Sequence, residues 1–512
     1  MNLPVYLGLL GAVGLFLGFP NPLVHLPILA LLYPATLALL GESASKPITA
    51  LRRGWLTGLA GSSAALYWLA VPVYEVGGLP WILAVPCALA VGAYVGLYGG
   101  FFAVFANRLA AYPVFVRCCA LALCWFLLEE LRGFLFTGFP WLTLASAFVP
   151  WTPVIQAAAV FGSYGLGGLL AGTACLLAYG LRCNHKISLY CGLLLAVSLP
   201  LGGLLRLHKL PGLDASPSPQ ALHFVLVQGN IDQNQKWLPA YQRATLAHYL
   251  QLSEQAAASG HLDMIVWPET AMPFFFQNQP GYAAGIRDFA SKHAIPLLLG
   301  APAHDGEVSG KRRTFNRAFL IGDAGQDLGF YDKEHLVPFG EYLPPWLDHP
   351  ALAFLLQGVG NFAPGVSQLP LQLKDLALGV LICYETIFPE IAQMRVGAGA
   401  EVLLNISNDA WFGLTSAPEQ HLQLSMLRAV EQGRWLVRAT NTGFSAFVDP
   451  TGRIHARSSL MRTETLASIA VPKQGLTPFH HLFPWLRYLG LAMLACMLLI
   501  CPRNTTHTNQ TS

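Results

Sequence analysis

Three residues that could act together on an acyl group stand at the ends of apolar segments. Glu269 and Cys383 each follow a short apolar run, and Lys333 closes a strand-like turn. In a packed α/β domain, side chains from separate segments converge at strand ends. Attack of a thiol on an acyl carbonyl needs a nucleophile, a base and a donor for the developing oxyanion. Cys383, Glu269 and Lys333 could supply these functions in that order.

Each of the three residues also has a simpler interpretation when it is taken alone. A single cysteine at a strand end is usually a small buried hydrophobic residue. Glu269 could cap a helix that begins at Thr270, and Lys333 could be a solvated turn residue. Only the combination of the three is specific for thiol catalysis.

Cysteine usage sets Cys383 apart from the rest of the chain. The sequence has ten cysteines, and nine of them lie in or beside long apolar runs, where cysteine behaves as a small hydrophobic residue. Cys383 is alone in the more polar region of about 220–472, so no intrachain disulfide can form there. An unpaired thiol in that region favours a chemical role.

The region around these residues has the pattern of an α/β domain. Short apolar runs alternate with amphipathic stretches such as 241–258 and 420–432, which predict strands and helices respectively. Ser-Pro-Ser-Pro at 216–219 and Lys-Gln-Gly-Leu-Thr-Pro at 473–478 cannot continue a helix, and these two linkers bound a predicted domain of about 220–472. The predicted strands are Phe224–Val227, Met264–Trp267, Pro296–Leu299, Ala318–Ile321, Leu376–Ile382, Val402–Ile406 and Phe444–Val448.

One apolar segment inside this domain, Pro344–Pro364, is unusual for a surface connection. It contains Trp346, Phe354 and several leucines without clear strand or helix boundaries. We interpret it as a lid that contacts the bilayer or an acyl chain.

The composition indicates a membrane protein. Of the 512 residues, 54% are hydrophobic and 11% are charged, whereas roughly a quarter of the residues of a soluble protein are charged. The first two of eight predicted spans are separated by a turn and could instead form a re-entrant pair. The eight spans are 5–20, 22–40, 55–74, 80–107, 115–132, 154–181, 187–206 and 482–501.

The basic residues of the short loops predict the orientation. Short cytoplasmic loops of membrane proteins carry an excess of Lys and Arg. With eight spans, most of the basic loop residues fall on one side, which should therefore be cytoplasmic, although Arg206 and Lys209 fall on the other side. Both termini are then inside, and the α/β domain is extracytoplasmic. The basic residues on the cytoplasmic side are Lys46, Arg52, Arg53, Arg108, Arg117, Arg182, Lys186 and Arg503.

The remaining charged residues exclude several classes of protein. The net charge is +3, and the basic cluster Lys311–Arg313 is too short for a nucleic-acid footprint. The histidines lack metal-ligand spacing, so we predict neither a metal nor another cofactor. A transporter would need ionisable residues within its spans, and these are nearly absent here. Glu129 and Glu130 at the end of the fifth predicted span could face a cavity or reach the membrane interface. Arg438 could form a buried salt bridge or bind a headgroup.

Several motifs surround the three candidate residues. They are Trp267-Pro268-Glu269, Lys333-Glu334-His335-Leu336-Val337-Pro338-Phe339-Gly340-Glu341, Cys383-Tyr384-Glu385, Asn405-Ile406-Ser407-Asn408-Asp409-Ala410-Trp411-Phe412-Gly413, Gln228-Gly229-Asn230-Ile231 and Gly138-Phe139-Pro140-Trp141-Leu142. The first four resemble the nitrilase (carbon–nitrogen hydrolase) superfamily, whose Glu, Lys, Cys order is met. Within it, the whole chain resembles the apolipoprotein N-acyltransferase family. The resemblance implies a transmembrane bundle over 1–210, an inserted nitrilase-like αββα sandwich over 220–472 and a last transmembrane helix over 480–502.

The resemblance also implies roles for individual residues. Glu269 would be the general base, Cys383 the nucleophile and Lys333 the group that stabilises the tetrahedral intermediate. The backbone N–H of Tyr384 would be a second donor to the oxyanion. The residues at positions that the family uses for support, substrate or lid contacts are Trp237, Glu341, Tyr384 and Glu385.

The reaction that the resemblance implies has two steps. Cys383 would take the sn-1 acyl chain of a phospholipid, preferably phosphatidylethanolamine, as a thioester. The acyl chain would then pass to the N-terminal amino group of diacylglyceryl-cysteine on an apolipoprotein. The implied setting is the inner membrane of a Gram-negative bacterium, with the site of a monomeric enzyme on the periplasmic side. A membrane-tethered amidase of the nitrilase type remains the alternative, because the three residues alone do not distinguish transfer from hydrolysis.

Overall fold

The computed structural model describes residues 3–209, 221–305, 313–343, 360–367 and 369–500. The linker 216–219 and most of the predicted lid Pro344–Pro364 lie outside these ranges. The α-helices are α1 (Leu3–Gly18), α2 (Leu32–Glu42), α3 (Pro47–Ala65), α4 (Ala70–Glu75), α5 (Trp81–Arg108), α6 (Val114–Phe134), α7 (Leu144–Ala147), α8 (Thr152–Ile155), α9 (Ala158–Arg182), α10 (Lys186–Lys209), α11 (Gln233–Lys236), α12 (Pro239–Ala257), α13 (Pro280–His293), α14 (Pro389–Gly397), α15 (Ala417–Gln432) and α16 (Pro478–Ile500).

Between α10 and α16 the chain forms two six-stranded sheets. The first has the order β12-β1-β2-β3-β4-β5 and the second the order β11-β10-β9-β8-β7-β6. The three central strands of the first sheet, β1 to β3, are parallel, as are β7 to β9 of the second. The strands are β1 (Leu222–Gln228), β2 (Met264–Val266), β3 (Leu297–His304), β4 (Thr314–Ile321), β5 (Asp327–Asp332), β6 (Leu371–Leu373), β7 (Leu376–Ile382), β8 (Val402–Ser407), β9 (Trp435–Thr440), β10 (Ala446–Val448), β11 (Ile454–Arg457) and β12 (Glu464–Ala470).

The central strands are apolar on both faces because both faces are covered. In β1, Phe224 and Leu226 belong to a core between the sheets that also contains Val380 and Leu404 of the second sheet. The alternate side chain of Val225 packs in a separate core with residues of α12 and α13. The outer face of the second sheet is covered by α14 and α15. This arrangement confirms the predicted nitrilase-like domain with two stacked sheets.

The count of eight membrane spans is not confirmed. In the described part of the chain, four helices are long and apolar enough to cross a membrane: Trp81–Ala111, Ala158–Arg182, Lys186–His208 and Pro478–Ile500. The bent pair Pro47–Ala65 and Tyr67–Glu75, which meet at 64°, could form a fifth span.

The helices at the first two predicted spans are apolar but short. Helix α1 has 16 residues and, at roughly 1.5 Å per residue, is about 24 Å long, which is less than the hydrocarbon core of about 30 Å. Helix α2 has 11 residues and begins only after a 3₁₀ turn at Pro27–Leu31. The predicted runs were apolar enough, but proline and turn residues interrupt the helices.

Helix α6 is apolar but carries two acidic residues whose position the sequence left open. Glu129 is buried, and its Oε1 atom accepts a hydrogen bond of 2.6 Å from the backbone N–H of Leu144 at the start of α7. Glu130 forms a 2.9 Å ion pair with Arg487 of α16. Both carboxylates therefore hold helices of the bundle together.

The helical region and the two-sheet domain share one hydrophobic core. Leu166 of α9 and Leu427 of α15 belong to the same buried cluster. Within it, Gln420 of α15 is 3% exposed and binds groups from the helical region through both ends of its amide. The Oε1 atom accepts from the indole N–H of Trp68 at 3.0 Å and of Trp141 at 2.8 Å. The Nε2 atom donates to the carbonyl oxygens of Pro20 and Ala65.

We expect Gln420→Met to lower the thermal stability of the whole protein. The change leaves two indole N–H groups and two carbonyls without this partner, and an orphaned buried polar group costs about 1–3 kcal/mol. The measurement is the apparent melting temperature of the detergent-purified protein. Gln423→Met is the matched control, because Gln423 is also buried on α15 but, among the residues that the structure describes, its amide donates to Glu419 alone, at 3.2 Å. Equal shifts in the two variants would contradict the proposed importance of the Gln420 contacts.

Candidate active site

The candidate nucleophile lies at the end of the central strand β7. Cys383 follows Ile382 directly, and its backbone has φ +52° at the first residue of a 3₁₀ turn, Cys383–Ile387. Left-handed backbone of this kind is uncommon for a residue with a side chain and is found preferentially at functional sites. The sharp turn directs the chain away from the sheet immediately after the cysteine.

The candidate electrophilic residue, Lys333, follows β5 at the edge of the first sheet. Its side chain is 1% exposed, and its Nζ atom lies 2.8 Å from the carboxylate of Glu341 and 3.5 Å from Oε1 of Glu269. Burial alone would lower the pKa of Lys333, but the two carboxylates outweigh burial and raise the pKa above its ordinary value. The ammonium ion is therefore held in its charged form between two acids.

The candidate base, Glu269, follows β2 and has both carboxylate oxygens engaged. Asn316 of β4 donates from Nδ2 to Oε1 at 2.6 Å, and the backbone N–H of Asn408 donates to Oε2 at 2.9 Å. The same Nδ2 atom donates to Glu341 at 2.9 Å. Asn316 thus joins the two acids that face Lys333.

The electrostatics of this cluster keep the cysteine protonated at rest. Burial raises the pKa of the Cys383 thiol, the charge of Glu269 raises it further, and Lys333 opposes both effects. The negative charge of Glu269 disfavours a second anion nearby. The thiol therefore needs a base at the moment of reaction, and Glu269 is the acid whose charge acts on it most strongly.

Glu385, predicted as a supporting residue, connects the turn after Cys383 to the segment after Lys333. It is fully buried, and its Oε2 atom accepts from the backbone N–H of Ile382 at 2.6 Å. Its Oε1 atom accepts from the hydroxyl of Tyr331 and the backbone N–H of Glu334, both at 2.7 Å. The side chain acts on the geometry of the site through these bonds.

Tyr384 and Trp237 occupy different surroundings. Tyr384 is buried, and its hydroxyl donates to the carbonyl oxygen of Gly138 in the helical region at 3.0 Å. Trp237 is 43% exposed at the end of the short helix α11. Tyr384 therefore ties the nucleophile turn to the helical region, while Trp237 remains open to a ligand.

Sequence reasoning missed several residues of the site, including Asn316, Asn408 and Lys236. Lys236 is buried, and its Nζ atom donates to Oγ1 of Thr270 at 2.7 Å and to Oδ1 of Asn408 at 3.2 Å. Burial lowers the pKa of Lys236 to about 7, against the opposing charge of Glu269. Asn408 belongs to the motif Asn405–Gly413, but the sequence alone did not indicate its role. Asn316 and Lys236 have no signal in the sequence beyond a polar residue next to apolar ones.

The two stacked sheets belong to a domain of the carbon–nitrogen hydrolase class. The sequence profile described as "Carbon-nitrogen hydrolase" matches residues 226–479, and the profile described as "Apolipoprotein N-acyltransferase N-terminal domain" matches residues 11–176. A solved carbon–nitrogen hydrolase from Helicobacter pylori is similar over 49% of this chain and 89% of its own, with 17% identity and a TM-score of 0.38.

Full-length relatives identify the particular family. The apolipoprotein N-acyltransferase of Geobacter metallireducens is 36% identical over 96% of this chain and 94% of its own length. That of Azotobacter vinelandii is 34% identical over 92% and 88%. The chain belongs to the apolipoprotein N-acyltransferase family and is an acyltransferase, which confirms the resemblance inferred from the motifs.

The raised pKa of Cys383 predicts an effect of Glu269→Gln on its reactivity. Removing the carboxylate charge should shift the pH at which Cys383 forms a thiolate downward, so alkylation by iodoacetamide should begin at lower pH than in the wild type. The measurement is the alkylated fraction of the Cys383 peptide against pH, by mass spectrometry. Cys183, which is exposed at the C-terminal end of α9, serves as the internal control. An unchanged or upward-shifted midpoint for Cys383 would show that Glu269 does not act on the thiol.

Proposed function

We propose that the protein transfers the sn-1 acyl chain of a phospholipid, through a thioester on Cys383, to the N-terminal amino group of diacylglyceryl-cysteine on apolipoproteins. Phosphatidylethanolamine is the proposed donor. The observation that carries this proposal is the buried Lys333 between Glu269 and Glu341 in a chain that matches these acyltransferases over nearly its whole length.

The first step is acylation of the cysteine. Glu269 takes the proton of the Cys383 thiol while the sulfur attacks the acyl carbonyl. Lys333 and the backbone N–H of Tyr384 stabilise the oxyanion. The carbon–oxygen bond to the glycerol then breaks, protonated Glu269 returns the proton to the leaving oxygen, and a lysophospholipid departs.

The second step is transfer to the amine. The neutral α-amino group of the lipoprotein attacks the thioester carbonyl and passes a proton to Glu269, and the same donors stabilise the second oxyanion. When the carbon–sulfur bond breaks, Glu269 returns the proton to the sulfur. The products are an amide and the free thiol, so the enzyme is ready for another cycle.

The alternative acceptor is water, which would make the protein an amidase or a lipase-like hydrolase. Burial favours transfer, because Glu269 and Lys333 are 5% and 1% exposed and a site that excludes water protects a reactive intermediate. The long apolar helices also favour lipid substrates, which leave the bilayer at a cost of about 0.8 kcal/mol per CH₂ group.

The proposed setting is the inner membrane of a Gram-negative bacterium. We propose eight crossings, with a bundle over 1–210, a catalytic domain over 220–472 on the periplasmic side and a last helix over 480–502 in a monomeric enzyme. Four apolar helices and one bent pair support part of this count. Helices α1, α2 and α6 would complete it.

Mass spectrometry of the detergent-purified protein tests the reaction. After incubation with phosphatidylethanolamine, we expect an acyl adduct on Cys383 and an equal amount of lysophospholipid. An added diacylglyceryl-cysteine peptide should remove the adduct and gain the acyl chain. An adduct lost only to water would favour the hydrolase, and absence of both adduct and lysophospholipid would refute the proposal.

Variants of the three residues test their separate roles in the same assay. Cys383→Ser and Cys383→Ala should abolish the adduct without unfolding the protein. Glu269→Gln should block proton removal, and Lys333→Ala should slow acylation by roughly 10²–10³, as loss of one oxyanion donor does elsewhere. A variant that forms the thioester at the wild-type rate would lose its assigned role.

A further inference from the structure

A second buried polar cluster lies behind Cys383, on the side of α15. His421 is 1% exposed, and its Nε2 atom lies 3.3 Å from the backbone carbonyl oxygen of Cys383. Its Nδ1 atom lies 3.0 Å from Oδ1 of Asp409. The imidazole thus lies between the backbone of the candidate nucleophile and a buried acid that the reaction described above does not use.

Asp409 is itself held by charged and polar neighbours. Arg438 of β9 donates from Nη2 to Oδ2 at 2.7 Å, and Ser407 donates to Oδ1 at 2.6 Å. Arg438 also binds the side chain of Asn405. Its ion pair with Asp409 is a buried salt bridge, which is one of the two possibilities left open by the sequence. These bonds fix the position of the carboxylate and of the imidazole beside it.

The hydrogen-bond partners determine where the imidazole carries its proton. A carbonyl oxygen only accepts, so Nε2 of His421 is the donor to Cys383. Nδ1 lies 3.1 Å from Nη2 of Arg438, which donates to it, so in this form Nδ1 has no proton to donate to Asp409. Burial, followed by the charge of Arg438, lowers the pKa of His421, which is consistent with the neutral Nε2–H form. The ring is also packed between Trp141 and Phe412, at centroid distances of 5.6 and 6.0 Å.

The carbonyl that His421 holds belongs to the same peptide plane as the N–H of Tyr384. A trans peptide is planar, and its N–H points opposite to its C=O. When Nε2 of His421 fixes the direction of the Cys383 carbonyl, it therefore also fixes the direction of the Tyr384 N–H, away from His421. The contact acts at a residue whose φ of +52° is costly to hold, by about 1–3 kcal/mol.

We propose that His421 is a positioning residue that aims the backbone N–H of Tyr384 at the oxyanion by holding the carbonyl of Cys383. This inference deepens the proposed function, since it gives that function's second oxyanion donor a fixed direction. Arg438, which is itself paired with Asp409, donates to Nδ1 and holds the imidazole in place, and Trp141 from the helical region closes one side of it.

Two substitutions of equal length separate this role from simple packing. His421→Gln keeps an N–H at about the position of Nε2, whereas His421→Met fills similar space without a donor. His455 on the edge strand β11 provides the matched control. Like His421, it lies beside an acid and an aromatic ring: it is 2.9 Å from Asp449, and its ring centroid is 5.0 Å from that of Trp435. We expect His455→Met to change the acylation rate by less than about twofold, as is usual for substitutions away from a site.

The assay measures acylation of detergent-purified full-length protein by a p-nitrophenyl ester of a fatty acid, through the burst of p-nitrophenolate. We expect His421→Met to lower the burst rate roughly 10²-fold, as loss of an oriented oxyanion donor does, with the KM of the ester unchanged. His421→Gln should recover at least about tenfold of this loss. Folded fractions, measured by thermal unfolding, normalise the rates.

Equal burst rates for the Gln and Met variants, or a loss explained by the folded fraction, would overturn the role of His421. A wild-type burst with the ester but no adduct from phosphatidylethanolamine would refute the proposed donor and leave the inference about His421 standing on the ester data. A wild type without any burst would refute both.

Discussion

The rest of the structure depends on one buried ammonium ion, that of Lys333, placed between the carboxylates of Glu269 and Glu341. Removing charges from water costs several kcal/mol each, and only close partners repay it. The partners follow β2 and β5 of the first sheet, and Asn316 of β4 joins the two acids. The charges are satisfied only when this sheet is complete, so the same contacts that assemble the domain also assemble the site.

Burial and a neighbouring carboxylate explain the resting state of the candidate nucleophile. Burial and the charge of Glu269 raise the pKa of the Cys383 thiol, so the thiolate is disfavoured. A neutral thiol is a weak nucleophile and is also slow to oxidise. In the proposed mechanism, chemistry begins with a proton transfer to Glu269, which ties reactivity to the arrival of an acyl group in the site.

The sequence predicted those elements whose local pattern agrees with their surroundings. Strand β7 matched its predicted bounds because every residue of Leu376–Ile382 is apolar or small. Strand β9 was missed because Arg438 interrupts its apolar run, and only the distant Asp409 makes that arginine tolerable. The role of Asn316 was equally invisible, since it depends on contacts between strands. The count of eight spans stays a prediction where proline and turns break apolar runs into short helices.

The helical region does more than hold the catalytic domain at a membrane, because its loops contact the turn of the nucleophile. The hydroxyl of Tyr384 donates to the carbonyl of Gly138, and Trp141 packs on the ring of His421. Gln420, next to His421, binds Trp141 as well. Because misplacement of a reacting group by about 1 Å can cost roughly 10²-fold in rate, a two-sheet domain without these helices would keep its three candidate residues and lose part of what aligns them.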